Sequence, residues 1–496
     1  MNFLLLLNII YVSIEFTSGK RECSCELIKQ CIQKFDSSIE IVTKDNTSFE
    51  QYNYQHCPRK IITPEAYIVV KNTEDVQVAV KCLTQLKCLF AIKAGGGSYE
   101  NYSSGGKGHF VITLKQIKNI KFDSQTMTAE IGAGNTAGDV INNLIRKHNV
   151  AITLGIASHV GFSGLALGGG WGFFARNRGL TVQSIVEMTV VDANGNILIA
   201  NSNTNSDLFA ALRGAGASNY GIVTNFKVKV FNASHTVTTV EMFTNLNYFE
   251  HIFEQFQYFL KNGDKSINFV FFVMKDMVGI HAVIDNEDED IRLELSEQIQ
   301  ALFRVPDMHV VVNNYKIIDF LDSLEKYLED DPLMIKAKSS FVDRYLSKDE
   351  IKKLKHIVLD STQKFDNLLF EFMPMGGTIT ESNVHSSYIH NNNLFLMDIN
   401  TLVSKKNVTF DTIVITETNT AYEKSRFMHS GYSYQNTIDE EQDISKYYGH
   451  KLSFLMHTKS KIKKMGLKRK QGKSDLSQKY VCLNHKEFES VTNNYR

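Results

Sequence analysis

Proline is scarce in this 496-residue chain, 5 residues against 30 glycines, which excludes a proline-rich linker protein. Net charge is missing as well, since 54 Lys and Arg meet 54 Asp and Glu. A whole-chain basic field for nucleic acid is therefore absent, and so is a strongly acidic surface. No apolar run of transmembrane length occurs, so no stable membrane anchor is expected. Cysteine nearly vanishes after residue 88, where only Cys482 follows. What remains is a globular balance of 43% hydrophobic and 22% charged residues, which excludes wholesale disorder. At about 150 residues per domain, the length predicts two to four units.

The first residues carry an apolar run from Phe3 to Val12, followed by small residues at Ser18 and Gly19. That run has the size of a signal-peptide core, and it predicts a signal peptide over 1–19 and secretion, although a basic n-region is lacking. Cys23, Cys25, Cys31, Cys57, Cys82 and Cys88 crowd the amino-terminal region, as expected for disulfides in an oxidising compartment. The odd total leaves at least one thiol unpaired. Cys23 and Cys25 have no second Cys/His set to complete four ligands, so no metal site is expected. Sequons at Asn46, Asn101, Asn232 and Asn407 fit a secreted glycoprotein.

Residues 60–232 alternate short strand and helix patterns such as AYIVV, DVQVAVKCLTQL, HFVITL and TAGDVINNLIRKH, and the ANGN turn at 193–196 reads as a hairpin. From about 236 to 430 glycine thins out. Amphipathic helices (LNYFEHIFEQFQYFLKN, EQIQALF) alternate there with strand-like runs (INFVFFVM, MHVVVNN, LLFEFMPM, NLFLMDIN, FDTIVITE). This texture predicts one sheet covered by helices, and the fold class is α+β. The segment 459–473 holds eight Lys/Arg and no acid, which reads as a solvated or disordered tail.

Two loops concentrate the glycines. Lys93-Ala-Gly-Gly-Gly-Ser-Tyr99 runs on to Gly108, and LGIASHVGFSGLALGGGWG leads to Gly179. Glycine there lets backbone approach a ligand, and clustered N–H groups form anion-binding hollows. No acid lies between Asp75 and Glu100 or between Asp139 and Glu187, whereas Lys93, Arg146, Lys147, Arg176 and Arg178 do. A bound diphosphate fits that pattern. A competing motif, Ile131-Gly-Ala-Gly-Asn-Thr-Ala137, imitates a dinucleotide fingerprint. It lacks the ribose-binding acid about 20 residues on, so a Rossmann NAD site is rejected.

These loops, together with VVDANGNILIANSNTNSDLFAALRGAGASNYGIVTNF, YSYQNTID and KYYGHKL, resemble the berberine-bridge-enzyme-like FAD-linked oxidases of the vanillyl-alcohol-oxidase type. The resemblance is dense over 60–232, thin through the middle, and returns at 430–455. It implies a two-subdomain PCMH-type FAD-binding domain plus a substrate domain with an antiparallel sheet covered by helices. The implied division is a signal peptide at 1–19, a helical segment at 20–59 and the FAD domain at 60–232. The substrate domain follows at 236–430, then a carboxy-terminal return at 431–458 and the basic tail at 459–496. The resemblance also implies a disulfide between Cys31 and Cys82.

For FAD it implies contacts from Lys93, Gly95, Gly96, Gly97, Ser98 and Tyr99 in the first loop. The second loop would contribute Ile156, Ala157, Ser158, Val160, Gly161, Ser163, Gly164, Gly168, Gly169, Gly170 and Gly172. Gly221, Ile222 and Val223 would lie near the adenine, and Tyr434 and Asn436 would come from the return. Tyr99 and Trp171 occupy positions where the family sets aromatic rings beside flavin and substrate. Val160 falls where oxygen access is gated, and His390 matches a histidine read as structural. His159, beside the lost cysteine position, is a weaker candidate base.

Three positions depart from the pattern. Gly97 and Ala157 stand where many members attach FAD through His and Cys, so non-covalent FAD is expected. Thr437 stands where the family places its catalytic Tyr, and a threonine hydroxyl is a poor base. Asp398, a lone carboxylate in an apolar strand, is the alternative base, although strand alternation alone leaves open whether it faces substrate or solvent. The expected function is oxidation of an alcohol or carbohydrate by hydride transfer to flavin N5, with O2 reduced to H2O2. The rivals are a flavin scaffold without turnover and a dehydrogenase with another acceptor.

Overall fold

The computed structural model describes residues 23–35, 38–57, 59, 61–216, 219–325, 333–381, 385–404 and 411–465. The signal-peptide segment, Asn407, Cys482 and the tail beyond residue 465 lie outside the described residues.

Two main sheets build the amino-terminal half, beside a small two-stranded one that pairs Val150–Ala151 with Phe231–Asn232. In the first, parallel strands Ala66–Val69, Phe110–Thr113 and Phe90–Lys93 are joined at one edge by antiparallel Glu40–Thr43. The segment 20–59 is therefore not purely helical: Ile41 and Val42 are buried in this sheet between helices Cys25–Gln33 and Phe49–Asn53. Disulfides Cys31–Cys82 and Cys23–Cys88 tie that segment to the region of helix Thr73–Gln85. The first is the pairing the resemblance implies. Cys25 and Cys57 are free thiols. The second sheet is antiparallel, in the order Ile120–Asp123, Thr128–Gly132, Ile222–Lys229, Ile185–Val191, Ile197–Asn201. Its last two strands form the hairpin around the ANGN turn.

The middle segment is one seven-stranded antiparallel sheet. Its order is His309–Lys316, Thr236–Asn245, Met277–Ile284, Ile267–Met274, Leu368–Pro374, Phe395–Ser404 and Leu333–Val342. Helices Phe249–Asn262, Glu289–Phe303 and Lys348–Lys364 cover one face, burying Phe253, Phe256, Phe271, Phe372 and Phe395 in a shared aromatic core. Each such ring removes on the order of 150–250 Å² from water, so this face anchors the unit. The other face packs on the amino-terminal half through residues such as Val270, Met373 and Leu396.

One expected strand is a helix. FDTIVITE is rich in β-branched residues, yet Asp411–Lys424 is helical. Val414, Thr418, Ala421 and Tyr422 recur at helical spacing and bury against the sheet, with the Thr418 hydroxyl 2.5 Å from that of Thr401. Packing overrides local propensity there. The first residues of the basic tail likewise continue helix Leu452–Met465. No helix among the described residues is long and apolar enough to cross a membrane.

Candidate functional site

The two glycine loops meet. A Cβ on Gly95 would lie 2.4 Å from the Gly161 Cα, and one on Gly161 would lie 2.6 Å from the Gly95 Cα. Backbone touches backbone, an approach that any side chain would block. Beside that contact the loops border open space: a Cβ on Gly97 or on Gly164 meets nothing within 4 Å. The first loop turns through Gly96 at φ +78° and is closed by Ser98, whose carbonyl accepts from the Asn101 amide. Strand Phe90–Lys93 launches it.

The second loop is stitched to the segment that imitates a dinucleotide fingerprint. The Ala137 amide donates to the Val160 carbonyl, Gly138 to Ser158, and Phe162 to Asn135. Those bonds consume the helix-start amides that a Rossmann fold offers to phosphate. The Asp139 carboxylate also caps that helix by accepting from Thr136. The helix start is thus already satisfied from within the chain, and the strand before the helix belongs to an antiparallel sheet. Rejection of the NAD site stands on these contacts.

Several residues expected at the cofactor are otherwise engaged. The Lys93 ammonium donates to the carbonyls of Tyr52 (2.9 Å) and Tyr54 (2.7 Å), and burial lowers its pKa to about 8. Gly168 is small because Asn436 fills its Cβ position, with Oδ1 1.9 Å away; Gly169 makes room for Tyr388 and Tyr434, Gly170 for Thr181, and Gly172 for the Leu154 carbonyl. The Gly170 and Trp171 amides both donate to the Tyr434 hydroxyl, at 2.9 and 3.1 Å. The stretch 168–172 thus receives the carboxy-terminal return, while Gly95–Gly97 and Gly161–Gly164 border the gap. Ile156 is exposed, and Ala157, Ser158 and Val160 are half-buried along the same loop; Ser163 is buried in the short helix that follows. Gly221, Ile222 and Val223 enter the central strand of the five-stranded sheet, with Ile222 and Val223 paired to Val191 and Val190.

The sheet face turned toward the loops carries the acids. On strand Phe395–Ser404, Phe395, Met397 and Ile399 enter the helix-covered core, so Asp398 points the other way. Its Oδ2 accepts from the Thr437 hydroxyl at 3.2 Å, bringing two expected catalytic residues together, and its Oδ1 is buried without a partner. Glu371, which sequence reasoning missed, sits directly across on strand Leu368–Pro374. Its Oε2 accepts from Asn400 at 2.6 Å. Burial pushes Glu371 up to about 7; burial and then the Glu371 charge hold Asp398 well above the carboxylate range. Tyr99 faces both acids from the first loop, and burial followed by the Asp398 charge holds its phenol above its usual range.

Neighbouring groups frame the gap. Trp171 is 8% exposed, and its indole donates to the Pro374 carbonyl at 3.2 Å, which links the second loop to the sheet. His159 stacks on His56 with centroids 4.6 Å apart. His390 is fully buried and stacked on Phe341 at 4.1 Å; burial lowers it to about 3, so it is a neutral packing residue. Glu100 carries no free charge toward the gap, since Arg59 and Lys336 pair with it. Asn101 is buried and donates to the Cys57 carbonyl, so the folded chain offers no glycan acceptor there, whereas Asn46 and Asn232 are exposed.

These residues fit an extended dinucleotide. Two glycine-rich loops touch at Gly95 and Gly161, open space lies beside Gly97 and Gly164, and Glu100, the acid that follows the first loop, is neutralised.

Comparison with known proteins agrees. Residues 64–201 match the family model described as FAD binding domain. The xylooligosaccharide oxidase of Thermothelomyces thermophilus is 33% identical over 216 residues, 43% of this chain and 43% of that protein. The glucooligosaccharide oxidase of Sarocladium strictum is 31% identical over 226 residues, 45% and 44%. The match thus spans less than half the length of either curated relative. The solved structure of BBE-like 1 from Physcomitrella patens superposes with a TM-score of 0.80 at 27% identity, covering 88% of this chain and 96% of that one. Residues 64–201 are therefore an FAD binding domain, and the fold around them is that of the BBE-like proteins.

Proposed function

We propose that this protein is a secreted FAD-dependent oxidase that oxidises a hydroxyl-bearing carbon of a carbohydrate. The carrying observation is that the two glycine loops meet at Gly95 and Gly161 while Tyr99 of the first loop faces Asp398 on the sheet. Carbohydrate is favoured over other alcohols because the relatives above are named for oligosaccharides. The disulfides and the apolar amino-terminal run support secretion.

Gly95–Gly97 and Gly161–Gly164 would hold the cofactor with their amides. Neither Gly97 nor Ala157 has a nucleophile, so we infer non-covalent binding. Acid precipitation is expected to leave a white pellet and a yellow supernatant; a yellow pellet contradicts this. Bound FAD would supply the hydride acceptor and, on reoxidation by O2, hydrogen peroxide. Asp398 would take the substrate hydroxyl proton while the C–H bond breaks. Thr437 holds the carboxylate in place through its hydroxyl and is not itself the base. Trp171 and Tyr99 would wall the site, and Val160 would gate the access of oxygen.

A panel of neutral oligosaccharides and simple alcohols tests the reading. The expected result is bleaching of the flavin band and peroxide in air, with Asp398→Asn lowering kcat on the order of 10²–10⁴-fold. Bleaching that air reverses slowly would point to a dehydrogenase. A band that nothing bleaches would point to a scaffold.

A further inference from the structure

Glu371 has no part in the scheme above, yet it stands where it must act on Asp398. The two residues are register partners on adjacent antiparallel strands, so their side chains rise from the same face. Like charges so placed repel.

Among the described residues nothing nearby neutralises them. The partner of Glu371 on its other side is Phe272, and the partner of Asp398 on its other side is Ser339. Tyr99 faces them from the first loop, and Thr437 and Tyr434 from the carboxy-terminal return; all three are neutral at ordinary pH. The buried cations of the neighbouring strand, Lys336 and Lys338, are held by Glu100, Asp439 and Glu441. No ion pair reaches either carboxyl among the described residues.

The hydrogen bonds leave room for one proton. Thr437 occupies Oδ2 of Asp398 and Asn400 occupies Oε2 of Glu371, while the buried Oδ1 of Asp398 is unpartnered. A buried carboxylate oxygen without a donor is costly, and a proton there removes the charge that makes it so.

We propose that Glu371 is a positioning residue that sets the protonation state of Asp398: the cross-strand carboxyls share a single proton near neutral pH, and Asp398 accepts the substrate proton only after the shared one has left. The balance is simple. The shared proton goes to solvent, Asp398 gains a carboxylate, and the substrate hydroxyl proton then fills the same oxygen. The inference rests on the reading of Asp398 as base. Its consequence is an activity that rises with pH through the neutral region, where an isolated aspartate would already be fully ionised.

The test is the pH profile of kcat/KM for the holoenzyme, wild type against Glu371→Gln, which is isosteric and keeps an acceptor for Asn400. Removing the neighbouring charge is expected to move the acid limb at least one unit toward lower pH, tenfold in proton affinity. Glu371→Asp should move it back toward wild type. A limb unmoved in Glu371→Gln overturns the proposal, since a merely structural role would lower activity without shifting the profile. A readout independent of turnover is the infrared band of protonated carboxyl at pH 7. It should be present in wild type and titrate at lower pH in Glu371→Gln. Its absence from wild type overturns the proposal as well. The reading of Asp398 as base fails separately, if Asp398→Asn retains turnover.

Discussion

Tyr434 receives three donors on one phenolic oxygen: the Gly170 and Trp171 amides and Asn436 Nδ2 at 3.0 Å. Its own amide donates to the Ser339 hydroxyl at 2.8 Å. One buried residue thus fastens the carboxy-terminal return to the second glycine loop and to the sheet. Tyr434→Phe keeps the ring but strands the two buried amides, at a cost of about 1–3 kcal/mol each. Denaturant unfolding should show that loss as a lowered midpoint with an unchanged slope. The residues of this site were unevenly legible. Asp398 stood out because a carboxylate interrupted an apolar strand, but its direction required the core, where Met397 and Ile399 take the other face. Glu371 interrupts LLFEFMPM in the same way, and the same signal would have found it. The Tyr434 contacts with the Gly170 and Trp171 amides join residues more than 260 positions apart, and no local pattern encodes that.

At the level of elements, the glycine loops were readable because glycine clustering and missing acids are local properties. Which glycines serve a ligand was not. Gly168–Gly172 look in sequence like Gly95–Gly97, yet their space is filled by Asn436, Tyr388, Tyr434, Thr181 and Leu154. Gly95 differs in the useful way. It has no positive φ, so alanine there carries no backbone strain, and the only obstacle to its Cβ is the Gly161 backbone. Helix Asp411–Lys424 failed for the opposite reason: a β-branched run reads as strand, and only its burial against the sheet makes it helical. The short strand Glu40–Thr43 escaped because four residues carry too little periodicity, and its sheet partner lies about 25 residues on.

Across the whole molecule, the two halves are locked by charge as well as by packing. Glu100 of the first loop pairs with Arg59 and with Lys336 of the large sheet; Lys336 and Lys338 pair in turn with Asp439 of the return. Arg176 adds hydrogen bonds from the second loop region to the Ile267 carbonyl at 3.0 Å and the Met375 carbonyl. Such buried pairs fix geometry more than they add stability, because desolvation offsets most of their attraction. Here they hold both glycine loops against the sheet face that bears Asp398 and Glu371. The most direct test is a fluorescence titration of flavin-free protein with FAD, wild type beside Gly95→Ala. Quenching that saturates at one FAD per wild-type chain, and weakens at least tenfold when the loops are pushed apart, is the predicted result. Wild-type protein that leaves FAD fluorescence unchanged, or a Gly95→Ala variant that binds as tightly as wild type, would contradict the account.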